Sequence, residues 1–61
     1  MTKLSDLLLI FSVLEDLVIL WEDDIYRGRP NEALAELPNY VLRKYVDFIR
    51  TDEGKVYIDL L

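Results

Sequence analysis

VILWEDDIYRG, residues 18 to 28, decides the fold. It is either the end of one long helix or two strands around an acidic turn. The helix reading has a real pattern behind it. Leu4, Leu7, Leu8, Phe11, Leu14, Val18, Trp21 and Ile25 keep i, i+3, i+4 spacing, and the helix would stop at Gly28 with Pro30 just beyond. The other faces count against it. Leu9, Ile10, Val13, Leu17, Ile19 and Leu20 fall outside that stripe, so the helix would be apolar nearly all round. A chain of 61 residues cannot bury such a helix. The strand reading rests on local composition. LVILW, residues 17 to 21, holds β-branched and aromatic residues over a typical strand length. Glu22, Asp23 and Asp24 then repel one another, and Asp is a turn residue, so a hairpin places them at an exposed tip.

The C-terminal third favours the strands. In VDFIRTDEGKVYIDLL, residues 46 to 61, side chains alternate on both sides of Thr51-Asp52-Glu53-Gly54, where Gly54 can take positive φ. One hairpin is marginal alone, and a second at 17–28 supplies the missing strands. The helix before it shrinks to about Leu4–Val13, with Ser5 as cap, Asp6 in the first turn and Glu15-Asp16 as the connection. Between the hairpins, Asn31 is a cap for a helix over Glu32–Glu36. Pro38 interrupts it, and Asn39 caps a short second piece, Tyr40 to about Tyr45. Leu34, Leu37, Val41 and Leu42 are expected to pack on the sheet.

The expected architecture is therefore a single α+β domain over residues 1–61. Its order is α-β-β-α-β-β, two β-hairpins with short helices packed on one face. Two hairpins each preceded by helical sequence suggest a loose pseudo-symmetry. The alternative keeps residues 4–26 helical, as an N-terminal helical hairpin with a C-terminal β-hairpin.

DIYRG, EALAELPNYVL, VDFI and GKVYIDL together resemble small uncharacterised accessory proteins of phages and prophages of low-GC Gram-positive bacteria. Those read as strand, Gly, a short helix around Leu-Pro, then a closing hairpin. The resemblance covers about residues 17 to 60 and carries no catalytic motif. It implies a phage or prophage accessory role.

Composition narrows the chemistry. With no cysteine and no histidine, the chain lacks a thiolate nucleophile, the usual metal ligands and the usual general base near neutral pH. Thr2, Ser5, Ser12 and Thr51 have no histidine partner, and Lys3, Lys44 and Lys55 would activate a hydroxyl only if buried, which lysines rarely are. Glu22, Asp23 and Asp24 lack the alternation of a calcium loop, so a solvated turn is the favoured reading. Asp47 with Glu53-Gly54-Lys55 resembles the core of restriction-type nucleases, but Glu53 and Gly54 fall on the expected turn. The expectation is no enzyme, no cofactor and no metal. The run LLLIFSVLEDLVILW, residues 7 to 21, is short for a membrane span and carries Glu15 and Asp16 in its middle. No small-residue cleavage site follows it. The expected location is the cytoplasm, that of the host cell if the chain is phage-encoded.

Twelve acidic residues against seven basic give a net charge of −5, which disfavours free nucleic acid and suits a basic partner surface. The first functional expectation is a non-catalytic accessory protein that inhibits or redirects a host nucleic-acid-binding or defence protein, in the manner of a DNA mimic. Its surface would be Glu15, Asp16, Glu22, Asp23 and Asp24, clustered at one end of the sheet. Trp21 beside the tip is an anchor if exposed, though a core position at a strand end is favoured. A second expectation is a homo-oligomeric assembly protein, a homodimer foremost, because Leu7 to Leu20 supplies more apolar surface than one copy hides. A third is a nucleic-acid-binding regulator using Arg27, Arg29, Arg43 and Lys44, against which the net charge argues.

Overall fold

The computed structural model describes all residues, Met1–Leu61. The elements run α1 (Leu4–Ile10), β1 (Asp16–Trp21), β2 (Asp24–Gly28), α2 (Pro30–Glu36), α3 (Asn39–Leu42), β3 (Val46–Asp52) and β4 (Lys55–Leu60). The opening stretch is a hairpin, and the chain is α+β with the expected order. The four strands lie as β2-β1-β4-β3, with β1 and β4 parallel at the centre and each hairpin antiparallel. Superposing one hairpin on the other would place their helical segments on opposite faces of the sheet. Both lie on the same face, so the expected pseudo-symmetry is not realised.

Burial explains why the sheet wins over the long helix. Leu17, Ile19 and Trp21 of β1 point one way and join Val56 and Ile58 of β4. Leu4, Leu7 and Leu8 of α1, Ala33 of α2, Leu37 and Val41 close over them in one cluster. Leu34 and Leu42, also expected to pack on the sheet, are partly buried at its margin. A continuous helix would have turned Leu17 and Ile19 away from the face that carries Leu4, Leu7 and Trp21.

Several boundaries differ from the sequence expectation, each for a local reason. Ser5 does not cap α1. The Leu4 N–H donates to the Lys44 carbonyl at 2.9 Å, and Lys3 bridges Tyr45, so a tertiary strand contact starts the helix. α1 stops at Ile10 rather than Val13, because Phe11 turns extended and packs against the core. The connection to β1 is Phe11–Glu15, closed by Glu15 N–H to the Ser12 carbonyl at 3.1 Å and Leu14 N–H to Ser12 Oγ at 3.3 Å. Asp16 already belongs to β1. Asn31 is not the cap of α2 either. Pro30 occupies the first helical position, where its fixed φ suits the helix, and Glu32 accepts from the Arg29 N–H at 2.8 Å. Pro38 divides α2 from α3 as expected.

Both hairpins close with two-residue loops. Glu22 takes positive φ (51°) in the first, Glu53 (49°) and Gly54 (77°) in the second. Two consecutive positive φ values are the signature of the turn that prefers Asn-Gly. A glutamate in that backbone is strained by on the order of 1 kcal/mol. Glu53→Asn is therefore expected to stabilise the fold by a similar, small amount. Urea unfolding checks this: the midpoint should rise with the slope unchanged.

Candidate functional site

Strand direction sorts the carboxylates. Asp16 opens β1 and Trp21 closes it, so Asp16 and Glu22 stand at opposite ends of the sheet. Five residue steps separate Asp16 from Trp21, roughly 17 Å at the usual rise. The expected single acidic cluster of Glu15, Asp16, Glu22, Asp23 and Asp24 is therefore two groups. Adjacency in sequence suggested one patch, but a hairpin keeps its tip and its base a strand length apart.

At the tip, Glu22 alone has a cation partner. Lys44 Nζ lies 3.4 Å from Glu22 Oε1, Arg43 precedes Lys44 in the chain, and Lys3 bridges Tyr45 beside it. Asp23 and Asp24 remain exposed. Trp21, next to this tip, is only 8% exposed and belongs to the core cluster. It packs inside rather than standing out as an anchor.

At the other end, carboxylates gather from three parts of the chain. Glu15 lies at the end of the α1–β1 connection, and Asp16 faces Lys55 across the parallel β1–β4 pair. Lys55 in turn faces Asp52 across the β3–β4 pair, and Glu53 follows in the turn. Lys55 thus stands in one row between Asp16 and Asp52, with no ion pair to either. Asp16, Asp52 and Glu53 are exposed, and Glu15 is half-buried. Sequence reasoning missed Asp52 and Glu53 as members of this group. Only the parallel pairing of β1 with β4 brings them there, and no local signal announces it.

A large apolar surface borders the same end. Leu9 is 72% exposed, Ile10 78%, Val13 54% and Leu14 69%. Their inward neighbours Leu4, Leu7 and Leu8 already fill the seam between α1 and the sheet, which leaves the outer aliphatics in water. Leu9, Ile10 and Val13 were legible as side chains outside the helical stripe, whereas Leu14 lay on it in the sequence reading.

The sheet face away from the helices is closed differently. Arg27, Val18, Tyr57 and Arg50 form one cross-strand row on it. Arg50 lies over the Tyr57 ring at 4.6 Å and sits 3.8 Å from Asp59. Val18 is nonetheless buried, at 2% exposure. Long polar side chains surround Val18, whereas the next row on this face, Ile25, Leu20, Asp59 and Phe48, leaves Ile25 and Phe48 about half exposed. The cations do not converge. Arg27 is on this row, Arg29 precedes α2, and Arg43 and Lys44 follow α3 at the tip end. Asp47 sits at the bulge that opens β3, a strand length from Glu53, so the nuclease-like pattern does not assemble.

One ionisable group is strongly perturbed. The Tyr26 hydroxyl donates to Glu36, and its ring lies over Gly28, where an added Cβ would meet the hydroxyl at 2.9 Å. Burial of the ring, then the Glu36 carboxylate, push the Tyr26 pKa up to about 12 from 10.0. The folded state therefore favours the neutral phenol. That stability is fully present below pH 10 and is lost as pH rises toward about 12. Tyr26→Phe is expected to flatten the alkaline limb of a stability–pH curve. Gly28→Ala should push the ring off Glu36 and bring the Tyr26 titration back toward 10, followed by NMR of the ring protons. Either variant leaving the alkaline limb unchanged would show that this contact does not govern it.

No family model matches the chain, and no curated protein or solved structure matches it either. No helix is long and apolar enough to cross a membrane.

Proposed function

We propose that this chain is a non-catalytic accessory protein that binds a partner protein through its acidic end, formed by Glu15, Asp16, Asp52 and Glu53. The observation that carries this reading is the gathering of those carboxylates from the α1–β1 connection, β1 and the β3–β4 turn at one end of the sheet. At the tip, Glu22 is already engaged by Lys44. The partner is a protein with a basic surface. The resemblance to phage and prophage accessory proteins supports a host target, one that binds nucleic acid or acts in defence, met in the host cytoplasm. Occupying a surface built for phosphates would inhibit or redirect that target.

The tagged chain, incubated with host lysate and washed at low and at high salt, tests this reading. A nucleic-acid-binding protein retained at low salt and released at high salt supports it, because exposed charge pairs are screened. Retention of the chain's own copies alone, at both salts, contradicts it.

A second reading has its own observation. The exposed Leu9, Ile10, Val13 and Leu14 suit a homo-oligomer or an assembly subunit held by apolar contact. Sedimentation at rising concentration distinguishes it, since such an oligomer should persist in high salt.

A further inference from the structure

We infer that the outer edge of β3, from Phe48 to Asp52, docks an extended segment of the partner as a further strand, antiparallel to β3, with a basic residue first and apolar residues last. The basic first residue rests on the proposed acidic contact, to which Asp52 and Glu53 belong. β3 is the last strand of the sheet, so half of its N–H and C=O groups face outward. The start of this edge already holds an extended segment. Lys3 bridges Tyr45 in antiparallel fashion, and the Val46 N–H donates to the Thr2 carbonyl at 2.8 Å. On the inner side, Leu60 pairs with Val46 and the Leu61 N–H donates to the Tyr45 carbonyl. Past the irregularity between Val46 and Phe48, the outer edge has no neighbouring strand. Phe48 is 58% exposed on the face away from the helices, and Ile49 is 43% exposed on the other.

Side chains select the occupant. Residues directly opposite in a pair share a face and interact. An antiparallel segment meets Asp52 first, beside Glu53 in the turn, and Ile49 and Phe48 last. A lysine or arginine suits the first position, and a β-branched and an aromatic residue suit the last two. Arg50 is already held over Tyr57 and beside Asp59, so the residue opposite it is uncharged. A second copy fits poorly. A two-fold pairing centred on Arg50 sets the two Arg50 side chains against each other. Centred on Ile49, it needs Asp47, which lies in the irregularity of the ladder. Centred on Thr51, it runs into Glu53, which has left the strand with positive φ, and keeps only Arg50, Thr51 and Asp52 of each copy. The other edge, β2, carries Arg27 with Arg29 just beyond, and these repel a basic segment.

The test uses the full chain and the capped peptide Lys-Thr-Thr-Ile-Phe at millimolar concentration, followed by amide NMR. The amides from Phe48 to Asp52 are expected to shift, and those facing the peptide to gain protection from exchange. N-methylation of alternate peptide amides separates strand pairing from side-chain contact. One alternate set is expected to abolish binding and the other to be tolerated, because only every second residue bonds the edge. Glutamate in place of the peptide lysine, or Asp52→Lys in the protein, is expected to weaken binding about fivefold. The two changes together are expected to recover most of that loss.

If the peptide shifts Glu15, Asp16 and Glu53 but not the amides of Phe48 to Thr51, the strand docking is overturned and the acidic contact stands. If the glutamate peptide binds the edge as well as the lysine peptide, the acidic contact falls and the choice of occupant with it. If both methylated peptides bind, or no amide shifts at all, the edge docks no strand. If these amides gain protection with protein concentration alone, the occupant is a second copy and the inference is overturned.

Discussion

Ile19→Ala is expected to remove most of the stability of this fold, whereas Ile10→Ala leaves it nearly unchanged. The chemistry of the two substitutions is identical, and only burial differs. Ile19 is fully buried at the centre of β1, beside Ile58 of β4 and Tyr26 of β2. Truncating a buried isoleucine costs about 2–5 kcal/mol, from lost burial and the cavity left behind. A domain of 61 residues has about 3–9 kcal/mol in total, at the usual stability per residue. The variant should therefore keep a much reduced margin, with its thermal midpoint lowered by at least about 8 °C. Ile10 is 78% exposed in the last turn of α1. Its truncation should fall within about 0.5 kcal/mol of neutral. Thermal unfolding of both variants checks the pair, since 1 kcal/mol moves the midpoint by about 4–8 °C in a domain this small. Equal losses would mean that α1 packs by a different face.

Trp21 gives the second large effect, with an unusual profile. The ring is buried, yet its Nε1–H has no hydrogen-bond partner. An orphaned buried donor costs about 1–3 kcal/mol. Trp21→Ala should still lose about 3–5 kcal/mol, because the ring volume goes. Trp21→Phe removes the orphan together with part of the ring, so the two changes oppose each other. Its net cost is expected near 1 kcal/mol or below, a small fraction of the alanine cost. Urea titration of the three proteins measures both. A phenylalanine variant as unstable as the alanine one would show that Nε1 is satisfied in solution.

The hairpins were legible because their signals are local. Glu22-Asp23-Asp24 and Asp52-Glu53-Gly54 are turn chemistry between β-branched runs, and Pro38 breaks a helix wherever it stands. The core side of α1 was legible too, in the spacing of Leu4, Leu7 and Leu8. Other features depended on contacts far apart in sequence. Ser5 looks like a cap, but Lys44 supplies the acceptor that starts α1. Glu15 and Asp16 sit near Glu22 in the chain, yet they face Lys55 and Asp52 in space. The parallel pairing of β1 with β4 carries no local mark, since both strands pair with their own hairpin partner first. The candidate surface was thus half legible: its aliphatics and two of its acids in sequence, the other two only in the fold.

The acidic end is the centre of this account, and charge reversal tests it most directly. Affinity for the partner captured at low salt would be measured for the native chain, for Glu15→Lys with Asp16→Lys, and for Asp23→Lys with Asp24→Lys. All four positions lie outside the core, so the fold should survive, which circular dichroism can verify. The account expects the first pair to abolish binding and the salt dependence with it, while the second pair binds within a few-fold of the native chain. Undiminished binding by the first pair, or loss only with the second, would contradict it.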